Sequence, residues 1–373
     1  MRFPEFTEEW KLHRTTDYFE FKNGLNPEAK RFGHGTKFIS VMDILNNRYI
    51  TYDKVISSVQ LKGNELKEFG VNYGDILFQR SSETLEDVGR ANVYLDNTTA
   101  VFGGFVIRGK KIGNYNPLFF RYLLSSPNAR KSIIVKGAGA QHFNISQDGL
   151  SKVLLNVPSI QEQEKISQFI NYIDERIETQ IKIIEQLESL IKGIYEKLFN
   201  ISDADYVPLS GIAKIQKGQQ INGEELSEQG TYYVMNGGIV PSGYLDNYNT
   251  PANTISISEG GNSCGYVQYN SVPFWSGGHC YTLIESGVSF NYKYLYHYLK
   301  FKEQSIMALR IGSGLPNIQK KDLERFPILN ICREEQNKMV YMLDDLSTKI
   351  RTERRLLENY EEQKKYLLSN LFI

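Results

Sequence analysis

Five histidines (His13, His34, His142, His279 and His297) and three cysteines (Cys264, Cys280 and Cys332) are the side chains a catalytic metal would seek first. None of the histidines forms an H-E-x-x-H pair, and no two cysteines have zinc spacing. Asn116-Pro117-Leu118-Phe119 fits the N-P-P-F signature of adenine methyltransferases only in part, because the second proline is missing and no glycine-rich cofactor loop precedes it. Asp17, Glu20 and Lys22 fit a nuclease D...E-x-K order, a pattern that chance produces readily in a chain rich in Glu and Lys. A Walker A loop is absent as well. The residues therefore predict no metal, no cofactor and no catalytic centre.

The composition is that of a globular protein. Of 373 residues 41% are hydrophobic and 23% charged, as in water-soluble globular proteins. No run approaches the roughly 18 apolar residues of a membrane span. The N-terminus has no apolar stretch suited to a signal peptide and the cysteines are odd in number, so the cytoplasm is the expected compartment. The formal net charge is zero. A protein that gripped nucleic acid by bulk electrostatics alone would be basic.

The chain repeats itself. At a constant offset Asn144-Ile145 falls on Asn317-Ile318, Leu150 on Leu323, Glu162-Gln163 on Glu335-Gln336, and Leu198-Phe199 on Leu371-Phe372. Gly103-Gly104 corresponds to Gly277-Gly278. Further upstream only pattern survives, with GDILFQRS (74–81) resembling NTISISEG (253–260) and FKNG (21–24) resembling IQKG (215–218). The segment after each globular part is helical by period. Ile166, Ile170, Ile173, Ile177, Ile181, Ile184, Leu187, Ile191, Ile194 and Leu198 form one stripe. Ser159-Ile160-Gln161-Glu162 after Pro158 reads as a capping box. The second stripe holds Leu343, Leu346, Ile350, Leu357, Tyr360, Leu367 and Leu371, but Cys332 stands at the cap position and leaves its start open. Helices of about 40 residues reach about 60 Å. Two of them either pack as an antiparallel coiled coil or each cover their own domain, and their length favours the pair.

The globular halves are rich in Tyr, Phe and Gly, with short alternating stretches that read as strands and tight turns. The fold expected is mixed α/β (α+β). Its parts are a first globular domain at 1–157, a long helix at 158–201, a second globular domain at 202–330 and a second long helix at 331–373.

The PEFTEEWKL opening, the G-D-I-L strand, the G-G pair, the N-I-x-x-x-x-L segment, and the P-S-I-Q-E-Q-E-K-I helix start with its second copy resemble the specificity subunit of type I restriction-modification systems. The resemblance covers nearly the whole chain. It implies two target-recognition domains, each reading one half of a bipartite double-stranded DNA target. The paired helices would fix the gap and dock two methyltransferase (modification) subunits, and restriction/translocase subunits would complete the complex. The second copy departs from the pattern at Ile331-Cys332-Arg333, where the first has Pro158-Ser159-Ile160.

On that reading, base contacts come from loops that carry Arg, Lys, Asn or Gln, and phosphate contacts from hydroxyls and backbone amides. The first half offers Gln79, Arg80 and Ser81 at a strand end, and Lys136, Gln141, His142 and Asn144 around the Gly137 loop. The second offers Lys217, Gln219 and Gln220, Asn262 in the 259–262 turn, and Arg310, Ser313 and Asn317 around the Gly312 loop. Each is equally compatible with an ordinary turn residue, and Asn144 and Asn317 also with turn capping. Gln161, Glu162, Gln163 and Lys165 are expected on an outer helix face, as a docking or merely solvated surface. A coiled-coil scaffold carrying two protein- or glycan-binding domains is the alternative without DNA.

Overall fold

β-Branched and aromatic residues alternate in short runs bounded by Gly and Asn, and the computed structural model, which describes residues 2–139, 142–201, 204–312 and 314–372, folds these runs into two sets of sheets. The chain divides into a first unit, Met1–Gln180 with Leu356–Ile373, and a second, Ile181–Arg355.

In the first unit an antiparallel sheet has the order Phe19–Asn23, Val106–Lys111, Ile76–Gln79, Ala91–Val93. A second sheet has the order Ser58–Val59, Phe32–Ile39, Ala100–Phe102, Gly70–Val71, with its two middle strands parallel. Lys11–Arg14 pairs antiparallel with Leu154–Val157. Helix Pro117–Leu123 begins where Asn116 Oδ1 accepts from Phe119 N–H at 2.9 Å and Pro117 takes the first helical position, where its missing N–H costs nothing. The methyltransferase-like N-P-L-F run is thus a helix start.

The second unit repeats this plan. Its antiparallel sheet has the order Ala213–Lys217, Cys280–Glu285, Thr254–Ser258, Val267–Asn270. Tyr206–Pro208 pairs with Pro327–Leu329, and Tyr232–Met235 runs parallel to Trp275–Ser276. Helix Tyr292–Phe301 is capped by Asn291, which accepts from Lys293 and Tyr294. Gln79 lies opposite Val106 in one unit and Ser258 opposite Cys280 in the other, so the faint GDILFQRS and NTISISEG match has the same register in both sheets.

The long helices run Ile160–Phe199 (40 residues) and Arg333–Asn370 (38 residues). Within the first unit, Ile166, Ile170 and Ile173 of the first helix and Leu367, Leu371 and Phe372 at the end of the second share one core. Lys364 Nζ meets Asp174 at 2.6 Å and Arg176 stacks over Tyr360, so these segments run antiparallel. Within the second unit, Phe199, with Ile191 and Ile194 against it, joins Val340 and Leu343. Arg354 meets Glu188 there at 2.6 Å. Each core therefore needs a segment of both helices, which is why neither stripe could be satisfied by its own domain alone. Among the described residues no helix is long and apolar enough to cross a membrane.

Candidate DNA-contact loops

The sequence-predicted residues sit on a backbone arrangement built twice. In the first unit the chain crosses itself so closely that a Cβ on Gly24 would lie 2.0 Å from the Gly103 carbonyl oxygen. In the second, a Cβ on Gly218 would lie 2.2 Å from that of Gly277. Only glycine permits such an approach. The next glycines, Gly104 and Gly278, are covered by Asn26 and Gln220 in turn. The duplicated G-G and K/N-G motifs thus hold one crossing in place.

At the end of the central strand, Arg80 N–H donates to Phe105 O at 2.9 Å, and Glu259 N–H to His279 O at 2.9 Å. Opposite it, a loop is closed by paired backbone bonds, Ala138 with Asn144 (2.9 and 2.8 Å) and Ile311 with Asn317 (2.8 and 3.0 Å). Ile145 N–H then donates to Arg80 O at 3.0 Å and Ile318 N–H to Glu259 O at 2.8 Å. Strand end, double glycine and Asn-closed loop therefore meet at one edge of each unit.

On this shared backbone the side chains differ. Arg80 is partly exposed and donates through Nη1 to Gly104 O at 3.2 Å. Ser81 Oγ donates to Asn144 Oδ1, and Lys136, His142 and Asn144 are exposed. Gln79 is buried and donates to Ser81 O at 2.9 Å, so only Arg80 and Ser81 of that triplet reach the surface. In the second unit Glu259 stands where Arg80 does. Its Oε1 accepts from Lys217 Nζ at 2.6 Å and from Tyr281 Oη at 3.0 Å. Burial, followed by the bond to Glu259, pushes the Tyr281 hydroxyl well above its ordinary pKa and keeps it a neutral donor. Gln219, Gln220, Asn262, Arg310 and Asn317 are exposed around this cluster. Gln141 and Ser313 lie outside the described residues.

Two residues escaped the sequence reading. Phe105 and His279, each directly after the double glycine, are exposed beside the strand end. The signal was present: a divergent residue right after a repeated motif is where a common backbone presents different chemistry. The expected outer helix face also needs correction. Glu162 is buried and accepts from Arg2 (2.7 and 2.8 Å) and Trp10 (3.1 Å). Gln163 is buried too; its amide donates to Pro158 O at 3.0 Å while its oxygen accepts from Asn116 N–H at 3.0 Å. Gln336 repeats this with Ile331 O (2.8 Å) and Asn291 N–H (2.7 Å). The repeated glutamine fastens each long helix to its neighbour's cap because buried polar groups must be paired, whereas Glu335, the counterpart of Glu162, is exposed. Asp17, of the nuclease-like pattern, accepts from Arg14 N–H at 3.1 Å, and Lys22 lies over the Phe69 ring.

Comparison with known proteins adds a second line of observation. The sequence profile described as "Type I restriction modification DNA specificity domain" matches residues 7–189 and again 201–362. A Mycoplasma pneumoniae protein provisionally described as a type I specificity subunit is 36% identical over 121 residues, 32% of each chain. One from Mycoplasma genitalium is 30% identical over 161 residues, 41% of this chain and 42% of that protein. The HindI specificity subunit of Haemophilus influenzae is 26% identical over 196 residues, 51% of this chain and 40% of its own. The matched stretches thus span well under half of these relatives' length. The fold is similar to the crystal structure of a type I restriction-modification S subunit from Mycoplasma genitalium, with a TM-score of 0.68 at 19% identity over 98% of this chain and 96% of that one.

Proposed function

The chain belongs to the type I restriction-modification DNA specificity family, and from that premise we propose that its two globular halves, 1–157 and 202–330, each read one half of a bipartite double-stranded DNA target. The helices at 158–201 and 331–373 hold the readers, set the spacing between half-sites and dock two modification subunits. Methylation, ATP hydrolysis and cleavage belong to partner subunits, the last two to restriction/translocase subunits.

The observation that carries this reading is the repeated loop edge with unlike side chains. A common backbone that presents Arg80, Ser81, Lys136, His142 and Asn144 in one unit, and Lys217, Gln219, Gln220, Asn262, Arg310 and Asn317 in the other, suits two readers of two different sequences. Arginine and lysine favour guanine, asparagine and glutamine favour adenine, and Ser81 suits a phosphate. Gln141 and Ser313 complete the two loops as proposed contacts. Half-sites can be engaged together only when their separation matches that of rigidly held readers, as in dimeric DNA-binding proteins.

The test is methylation-site sequencing in a host carrying the assembled complex. A split target is expected, and exchange of residues 1–157 for another recognition domain changes one half-site only. A continuous target, or movement of both halves, would refute the division of labour.

A further inference from the structure

Away from the loop edge, the first unit contains a cavity of about 400 Å³ between helix Val41–Asn46, strand Ala91–Val93 and helices Pro117–Leu123 and Pro127–Ile134. Arg90, Arg121 and Arg130 line it with Asn47 and Ser125, and Glu86 is the one carboxylate in the lining. Arg90 has a partner in Asp87 at 2.6 Å. Neither of the other two makes an ion pair among the described residues. Arg121 Nε donates to Arg48 O at 2.7 Å. Arg130 Nη2 donates to Glu86 O (2.8 Å) and Val88 O (2.7 Å), while its Nη1 is buried without a partner. Burial, with the charge of Arg90 adding to it, pushes the Arg130 guanidinium down to about 10. Carboxylates act on the two only from a distance, Asp174 on Arg121 and Asp87 on Arg130. Guanidinium groups drawn out of water without a direct ion-pair partner are costly, so such a cluster persists where something offsets it.

The elements that carry these arginines do not require them, because the second unit builds a strand at Val267–Asn270 and helices at Tyr292–Phe301 and Glu303–Met307 without them, although its described residues form no counterpart of helix Val41–Asn46. Gln79 N–H donates to Arg90 O as Ser258 N–H does to Tyr266 O, which makes Tyr266 the counterpart of Arg90. Counted from the capping asparagines Asn116 and Asn291, Arg121 corresponds to Tyr296. Counted from the buried Ile133 and Ile306, Arg130 corresponds to Glu303. Three cations in one unit are two tyrosines and a carboxylate in the other.

We propose that this arginine pocket is a phosphate-binding site particular to the first unit. Planar guanidinium groups bind phosphate oxygens through paired donors, and a bound phosphate supplies the missing partner for Arg130 Nη1. The same group is available from the backbone of a duplex or from a free phosphate-bearing molecule.

The full-length chain, titrated with inorganic phosphate against chloride at equal ionic strength, is expected to melt at a higher temperature in phosphate. Arg90→Ala, at an exposed position, and Arg121→Gln are each expected to weaken phosphate binding by about tenfold or more, the usual scale of one charged hydrogen bond. A parallel measurement of duplex affinity against salt concentration identifies the source. A slope smaller by about one in the variants assigns the phosphate to a DNA backbone. An unchanged slope with lost phosphate binding assigns it to a free molecule. No phosphate-specific stabilisation of the parent chain, together with an unchanged slope in both variants, overturns the proposal. The phosphate arm does not depend on the DNA reading, so the two can fail separately.

Discussion

His297 has no solvent exposure, and its two ring nitrogens face Tyr195 Oη at 2.9 Å and Asp344 Oδ1 at 3.0 Å. A neutral ring fits both, with Nε2–H donating to the carboxylate and Nδ1 accepting from the phenol. Burial holds its pKa below the ordinary value despite the pull of Asp344. The unfolded chain therefore takes up a proton near pH 6.5 that the folded chain resists, so stability is flat above that pH and falls as pH drops below it. The slope from this one site reaches at most about 1.4 kcal/mol per pH unit. His297→Gln should reduce the difference in melting temperature between pH 8 and pH 5.5; a variant with the full parental difference would show that another group is responsible. Gly218 tests the crossing in the same way. A Cβ there has no room, so Gly218→Ala should cost about 1–3 kcal/mol in denaturant unfolding, and an unchanged midpoint would contradict the close approach.

The repeated Leu-Phe ending of each long helix works at the scale of elements. Phe372 packs on Phe119 (5.5 Å between ring centres) and Trp10 (6.3 Å) in the first unit's core. Phe199 packs on Tyr294 and Tyr298 in the second's. Phe372→Ala is expected to cost the first unit about 3–5 kcal/mol although the residue stands at the far end of the sequence. Hydrogen exchange should then rise in helix Pro117–Leu123 and stay unchanged in helix Tyr292–Phe301. The reverse pattern is expected for Phe199→Ala, and equal loosening of both helices by either change would contradict the two-core description. Burial of Glu162 and Gln163 is a lesson at this scale too. Helical period counts polar residues as outward-facing, and it cannot foresee that an Asn cap on another helix brings a backbone N–H for Gln163 to accept.

For the whole molecule, the proposed ruler predicts that residues inserted into the first long helix alter the spacer of the target while leaving both half-sites readable, which methylation-site sequencing would check; a changed half-site would count against it. Much of this organisation was legible beforehand, because a repeat, a 3.6-residue apolar stripe and a helix cap are local patterns. The double glycines and the Asn-closed loops were visible as motifs, but their role as a backbone crossing depends on contacts between segments some 80 residues apart in the chain, such as Gly24 and Gly103. Glu259 and Arg80 could be aligned, yet only packing reveals that Lys217 and Tyr281 surround the former. By itself the sequence determined the duplication, the two long helices, the mixed α/β halves and the family, since periodicity and motif order are properties of the chain. Tertiary structure alone decided which stretch of each helix serves which core, which polar side chains are buried clamps and which loops converge, because these depend on groups that meet only after the chain has folded.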